Sequence, residues 1–162
     1  MAENNQSREI RTGGPSYVGW RGELLAELAL TRVPELSVHK PKEACGYDFL
    51  VATSSGVCFF VLVKAFSSKN QNIRAIDQLA DWRWRVRTDF ILHTQESPSP
   101  VFIFLIDADT EHGRYLRLDT LEVRNKSAQA QTIRFPRDHT IDKRGIQALV
   151  AALEKCEKVE SH

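Results

Sequence analysis

A single lysine interrupts the most hydrophobic segment of this sequence. Seven consecutive apolar residues, from Val57 to Val63, precede Lys64. A charge in such a setting costs free energy unless it is paired or functional. Asp48 lies near the start of the preceding predicted strand, and a short turn at 54–56 would bring it within about two residues of Lys64 in register. The spacing therefore predicts a shared pocket for this ammonium and this carboxylate.

Two glutamates, Glu23 and Glu27, lie one turn apart on a predicted helix, where like charges repel unless a cation lies between them. A cluster of carboxylates and a lysine, formed by Asp48, Glu23 and Lys64, can hold a divalent metal. Asp48 and Glu23 would supply carboxylate oxygens, Glu23 directly or through water, and the backbone carbonyl of Val63 would supply another ligand. Lys64 would then orient or deprotonate an attacking water, or stabilise charge on a phosphorane.

Each of these residues also has a structural interpretation. Asp48 could cap the backbone at the start of a strand, and Lys64 could be a strand-end lysine whose stem extends to solvent. Glu23 is favoured near the start of a helix by the helix dipole. The sequence leaves both interpretations open.

The predicted elements place these residues on one sheet. Periodicity predicts helices over 17–32, 73–88 and 145–159. Strands are predicted at 35–40, 47–53, 57–66, 101–107, 114–118 and 132–135, with 114–118 pairing with 101–107. A strand that is apolar on both faces, as at 57–66, belongs inside a sheet covered by helices on both sides. We expect a flexible tail at 1–15 and one α/β domain at 16–160, a three-layer αβα sandwich with a central mixed sheet.

Composition excludes several classes of protein. Twenty-two Lys and Arg against 21 Asp and Glu give a formal charge of +1 over 162 residues. This excludes a uniformly basic coat protein but allows a local basic cleft. No apolar run approaches the ~20 residues that span a bilayer, so no membrane partner is expected. The three cysteines form no CxxC pair and the histidines show no zinc-binding spacing, so we expect a reduced, cytoplasmic protein.

A second group of residues could contact nucleic acid. Indoles and guanidinium groups alternate over 82–87, and they suit stacking on bases and contacts to phosphates. The candidates are Lys69, Arg74, Trp82 and Arg85. The alternative places Trp84 in the core, Trp82 half-buried and the arginines in solvent or paired with aspartates.

The segments GWRGELLAELAL, GYDFLV and FFVLVKAF, in this order and at this spacing, resemble the PD-(D/E)xK superfamily of restriction-endonuclease-like proteins. Within it, residues 17–120 are most similar to small bacterial domains of unknown function that often accompany defence genes. The resemblance implies a restriction-endonuclease-like core and hydrolysis of DNA with Mg²⁺ or Mn²⁺. It assigns Asp48, Glu23 and Lys64 to the active site, and a homodimer is compatible with this fold.

One position departs from the family pattern. Leu62 stands two residues before the lysine, where the family has Glu, Asp or Gln, and leucine cannot ligate a metal. In some members the following helix supplies the missing acid, and Asp77 stands at the corresponding place. Two functions therefore stay open: a metal-dependent endonuclease with a partly degenerate site, or an inactive module that binds nucleic acid or a partner protein.

Overall fold

The computed structural model describes residues 17–42, 45–69 and 82–160. The tail predicted at 1–15 lies outside these ranges. Within the described ranges, the helices are α1 (Tyr17–Thr31), α2 (Thr88–Gln95) and α3 (Lys143–Glu160). The strands are β1 (Leu36–His39), β2 (Phe49–Thr53), β3 (Cys58–Phe66), β4 (Trp82–Arg87), β5 (Val101–Asp107), β6 (Gly113–Arg117) and β7 (Ala130–Phe135).

The central sheet is mixed and has the strand order β1-β2-β3-β5-β6. Strands β3 and β5 run parallel, with Lys64 opposite Leu105, and the other neighbouring pairs are antiparallel. The predicted pairing of 114–118 with 101–107 is confirmed, since β6 lies against β5. The predicted central place of 57–66 is also confirmed, because β3 has a neighbour on each side.

Each face of this sheet has its own hydrophobic core. On one face, α1 and α3 cover Phe59, Val61 and Val63 of β3. On the other face, α2 and a two-stranded sheet of β4 and β7 cover Phe60 and Leu62. Helices thus flank both faces of a mixed sheet, which confirms the predicted α/β class, although a small second sheet shares the layer of α2. Each fully buried aliphatic or phenylalanine side chain contributes roughly 1.5–3 kcal/mol to this packing.

The prediction of one helix over 73–88 is wrong for residues 82–87. These residues form β4, which pairs antiparallel with β7, and the helix begins at Thr88. Arg83, Arg85 and Arg87 are exposed, whereas the indoles between them are half-buried. An alternation of period two fits a strand with one solvated face. Residues 70–81 lie outside the described ranges, so the remainder of the predicted helix is not tested.

Helix α1 packs closely against the sheet at Gly22. A Cβ placed on Gly22 would lie 2.4 Å from the Cβ of Ala65 and 3.8 Å from a methyl carbon of Val63. The absence of a side chain therefore lets the helix backbone pack directly on β3, one residue before Glu23. No helix in the described part of the chain is long and apolar enough to cross a membrane.

Candidate active site

Asp48 lies at the edge of the sheet, immediately before the first residue of β2. Its backbone N–H donates to the carbonyl of Val61 at 2.9 Å, and its Oδ2 accepts a hydrogen bond from the N–H of Val63 at 2.6 Å. The backbone pairing of β2 with β3 stops at Phe49, opposite Val61. The Asp48 carboxylate thus accepts a hydrogen bond from a β3 N–H that lies past the end of this pairing. No described residue donates a hydrogen bond to its Oδ1. The capping role expected of a strand-start carboxylate is therefore present, and one oxygen is left for another ligand.

The surroundings of Asp48 disfavour its negative charge. Partial burial raises the pKa of the carboxyl above its ordinary value, while the hydrogen bond from Val63 lowers it. The negative charge of Glu23 raises the pKa as well, and the positive charges of Lys64 and Lys40 lower it. Glu23 and Lys64 therefore each lie within electrostatic range of Asp48.

Glu23 reaches this edge from the side of α1. Its Oε2 forms a salt bridge with Lys40 Nζ at 3.1 Å, and its side chain is 28% exposed. Lys40 follows β1, which is antiparallel to β2 with His39 opposite Leu50, so the ammonium lies near the start of β2. Lys40 also lies 5.8 Å from the ring centre of Phe49. A cation therefore already compensates one of the two carboxylates.

Lys64 reaches the edge from the other side of the sheet. Side chains alternate along β3, so Lys64 shares a face with Leu62, opposite to the face that α1 covers. The residue is exposed, and its ammonium forms no salt bridge within residues 17–42, 45–69 and 82–160. Glu23 and Lys64 thus lie on opposite faces of the sheet, and the Asp48 carboxylate is hydrogen-bonded to the β3 backbone.

The donors at this edge suit a hard cation. Successive β3 residues turn their backbone polar groups to alternate neighbours, so the Val63 carbonyl points to the same side as the Val63 N–H that Asp48 accepts. Mg²⁺ is commonly held by one or two carboxylates together with waters and substrate phosphates. Asp48, Glu23 and Val63 carry oxygens of that chemical type. No group of three or more His, Cys, Asp or Glu residues suited to a metal occurs among the described residues.

A cleft of about 560 Å³ adjoins Lys64. Leu62 and Ile103 of the sheet lie on one side of it, and β4 and the start of α2 lie on the other. Among the cleft residues are the cations Lys64, Arg85 and Arg87, with Trp84, Phe90 and His93. Arg87 forms a salt bridge with Asp89, which also lines the cleft. A second cleft, lined by Arg85, Arg87 and Lys126, continues from the first.

The remaining nucleic-acid candidates occupy different environments. Lys69 is exposed, and its N–H donates to Asp109 Oδ2 at 2.9 Å. Trp82 is half-buried, packs edge-on against Phe66 at 5.2 Å and lies beneath the guanidinium of the buried Arg114 at 5.0 Å. Its indole therefore serves the packing of the small sheet on the large one. Arg74 and Asp77 lie outside the described residues. The prediction that Asp77 supplies the acid missing at Leu62 is therefore not tested.

Sequence reasoning missed Lys40 and Phe90, and it included Arg87 only as a member of the run 82–87. Lys40 follows a short edge strand, and only the β1–β2 register brings it next to Glu23. The alternation in WRWRVR was a signal for Arg87, because it predicts a strand with three arginines on one face. Phe90 lies on α2, which begins at Thr88, whereas the sequence predicted that a helix ends there.

Comparisons with known proteins add little to this geometry. No family model matches the sequence. No curated protein matches it either. Among solved structures, the chain is similar to a bacterial homing endonuclease, I-Ssp6803I, with a TM-score of 0.38 and 17% sequence identity over 74% of this chain and 78% of that chain. A similarity of this extent leaves the function to be argued from the site itself.

Proposed function

We propose that this chain is a nuclease-like protein of the PD-(D/E)xK type that hydrolyses phosphodiester bonds of DNA with Mg²⁺ or Mn²⁺. The observation that supports the proposal is that the charges of Glu23 and Lys64, which lie on opposite faces of the sheet, both act on the Asp48 carboxyl. Acidic oxygens beside a lysine form the combination that a metal-assisted attack of water on a phosphate requires. A cytoplasmic location and a homodimer stay predictions.

Each residue at this edge has a distinct task. Asp48 and Glu23 would hold the cation, together with the carbonyl of Val63, and the hydrogen bond from Val63 fixes the Asp48 carboxylate. The metal would supply Lewis-acid stabilisation of the phosphoryl oxygens. Lys64, which forms no salt bridge with a described residue, is available to orient the attacking water or to stabilise the negative charge that develops on the phosphate.

The cationic cleft provides a route for the nucleic acid. Arg85 is exposed and lines both clefts, and the first cleft also contains Lys64. Lys69 follows the end of β3, two residues beyond Phe66. Phosphates bound along this surface would lead a strand to the edge where Asp48 lies. We propose Lys69 and Arg85 as backbone contacts, together with Arg74 from the sequence.

A second function is favoured by a specific observation. Leu62 occupies the place of the family's acid and contributes to the hydrophobic core of that face. With no three-residue metal group among the described side chains, the chain could be an inactive nuclease-fold module that binds nucleic acid or a partner protein.

Metal binding and plasmid cleavage distinguish the two functions. Asp48→Asn keeps an acceptor for the Val63 N–H while it removes the charge, so it should abolish Mn²⁺ binding in calorimetry and cleavage without unfolding the chain. Glu27→Gln, one turn beyond Glu23, is a matched control that should leave both unchanged. Cleavage by Asp48→Asn and by Lys64→Met at the wild-type rate would refute the proposed active site.

Leu62→Glu tests the degenerate position directly. If the other ligands are in place, the added carboxylate should raise plasmid cleavage in Mn²⁺ well above the wild-type rate. Nucleic acid binding without metal binding, in the wild type and in Leu62→Glu alike, would establish the inactive module instead.

A further inference from the structure

We propose that the cleft between β3 and β4 binds the base of one unpaired nucleotide, so that the protein prefers single-stranded nucleic acid or a strand with an extruded base. This inference rests on the proposed function and specifies its substrate. The juxtaposition that carries it is an aromatic-walled cleft that shares Lys64 with the candidate active site.

The walls of the cleft suit a flat aromatic ligand. Trp84 of β4 and Phe90 of α2 line it, and Leu62 and Ile103 provide aliphatic surface opposite them. Trp84 and Phe90 are half-buried, so each ring keeps exposed surface. The volume, about 560 Å³, is within the range of roughly 300–1,000 Å³ of small-molecule sites. Bases of any sequence stack on such rings, because every base has a π-face.

The charges at the cleft suit the phosphates on either side of that base. Lys64 and Arg85 carry positive charge and form no salt bridge with a described residue, whereas Arg87 is paired with Asp89. Two cations that form no salt bridge with a described residue thus flank an aromatic and aliphatic interior. A purely apolar ligand would not engage these cations, and a duplex backbone alone would leave the rings unused. A nucleotide satisfies both.

The position of the cleft connects base binding to the chemistry. Lys64 lines the cleft, and its charge also acts on Asp48. Gly46, two residues before Asp48, lines the cleft as well. A base stacked on Trp84 or Phe90 would therefore place an adjoining phosphate near the edge of the sheet where Asp48 lies. The cleft is in this sense a specificity site for the strand to be cut.

Fluorescence anisotropy with paired probes tests the inference. The probes are an oligothymidylate of about ten nucleotides, an abasic strand of the same length and charge, and a blunt duplex. The wild-type protein should bind the abasic strand about tenfold more weakly than the oligothymidylate, because the abasic strand cannot stack. Equal affinity for these two strands would overturn the inference without any variant.

Variants locate the effect in the cleft. Trp84→Leu keeps an apolar side chain and should weaken oligothymidylate binding about tenfold, with little effect on the abasic strand. Arg85→Gln should weaken both strands several-fold, whereas Arg144→Gln on α3, with the same change of charge, should weaken neither. If Trp84→Leu fails to fold, the wild-type probe pair and Arg85→Gln still decide the question.

The outcomes separate this inference from the proposed function. If the wild type binds the duplex and cuts it while the two single strands bind alike, the base-binding cleft is refuted and the nuclease function stands. If none of the three probes binds, the proposed function and the inference are both refuted. If the abasic defect appears but Trp84→Leu reduces both strands equally, the base binds elsewhere and the cleft assignment is overturned.

Discussion

The carboxylate of Asp48 takes the place of a strand neighbour for Val63. Beyond Phe49 the β2 backbone no longer pairs with β3, and Asp48 Oδ2 accepts the Val63 N–H at 2.6 Å. Asp48→Ala should therefore lower the free energy of unfolding by about 1–3 kcal/mol, because it leaves a donor unsatisfied in a partly buried place. Asp48→Asn, which keeps an acceptor, should lower it much less. Urea denaturation of both variants measures the difference, and equal losses would show that the hydrogen bond contributes nothing.

The same carboxyl gives the stability a defined pH dependence. Burial and the charge of Glu23 raise the pKa of Asp48, so the native state binds its proton more tightly than the unfolded chain does. Between the ordinary Asp pKa and the raised one, the native state carries more protons. The contribution of Asp48 to the free energy of unfolding therefore falls as the pH rises through that window. Denaturation across that window should show this fall in the wild type and lose it in Asp48→Asn.

Gly22 sets the distance between α1 and β3. Gly22→Ala would place a methyl group 2.4 Å from the Cβ of Ala65, so the helix must move away from the strand. We expect a loss of roughly 1–3 kcal/mol in the free energy of unfolding, as for other overpacked sites. Because Glu23 is the next residue, Mn²⁺ affinity should fall as well.

Ala65→Gly in the same chain is the control for Gly22→Ala. It removes the methyl group that the new side chain meets, so the double variant should be more stable than the sum of the two single changes predicts. Additive losses, measured by denaturant midpoints, would mean that the Gly22–Ala65 contact does not set the helix position.

Much of the fold follows from hydrophobic pattern alone. The run from Val57 to Val63 is apolar at every position because β3 has a core on each face. The pattern identified β5 for the same reason. The pattern misled over 82–87, where Trp84 and Ile76 fitted a helical spacing while the local alternation was that of a strand. The pairing of β4 with β7 favours the strand, and this long-range pairing cannot be read from the local sequence.

The site was less predictable than the fold. The sequence identified Asp48, Glu23 and Lys64 as candidate site residues and placed Asp48 and Lys64 in approximate register. It could not show that Glu23 is paired with Lys40, or that Glu23 and Lys64 lie on opposite faces of the sheet. Both facts depend on the β1–β2 register and on where α1 packs. These are long-range contacts, whereas sequence patterns report neighbours along the chain.

Ser67 and Asp109 join the ends of β3 and β5. Ser67 Oγ donates to Asp109 Oδ2 at 2.6 Å, and this hydrogen bond, with that from the Lys69 N–H, lowers the pKa of the Asp109 carboxyl. Ser67→Ala should therefore raise the pKa of Asp109 towards its ordinary value. A lowered pKa stabilises the native state at pH values above the pKa that the carboxyl has in the unfolded chain. The wild type therefore loses this stabilisation as the pH falls through the pKa of Asp109 in the native state.

An NMR titration of the Asp109 carboxyl carbon checks this directly. Ser127→Ala is a suitable control, because Ser127 makes its hydrogen bonds with Asn125 instead. An Asp109 pKa that is unchanged in Ser67→Ala would contradict the assignment of the shift to the serine hydroxyl.

Lys40 occupies the position of a competing cation in the candidate metal site. Its ammonium lies 3.1 Å from Glu23 Oε2, and its charge also acts on Asp48. A divalent ion held by these two carboxylates would be repelled by the ammonium, and it would have to displace Lys40 from Glu23. Lys40→Gln should therefore tighten Mn²⁺ binding, by roughly threefold to tenfold because the pair is partly exposed and screened by solvent.

Lys42→Gln provides the matched control for Lys40. It removes the same charge from an exposed lysine two residues away, and no described residue forms a salt bridge with Lys42. Calorimetric titration of Mn²⁺ into the wild type and both variants should show tighter binding in Lys40→Gln alone. Weaker binding in Lys40→Gln would mean that Lys40 holds Glu23 in place for the metal. Equal tightening in both variants would reduce the effect to net charge, and the metal would then not be located between Glu23 and Asp48.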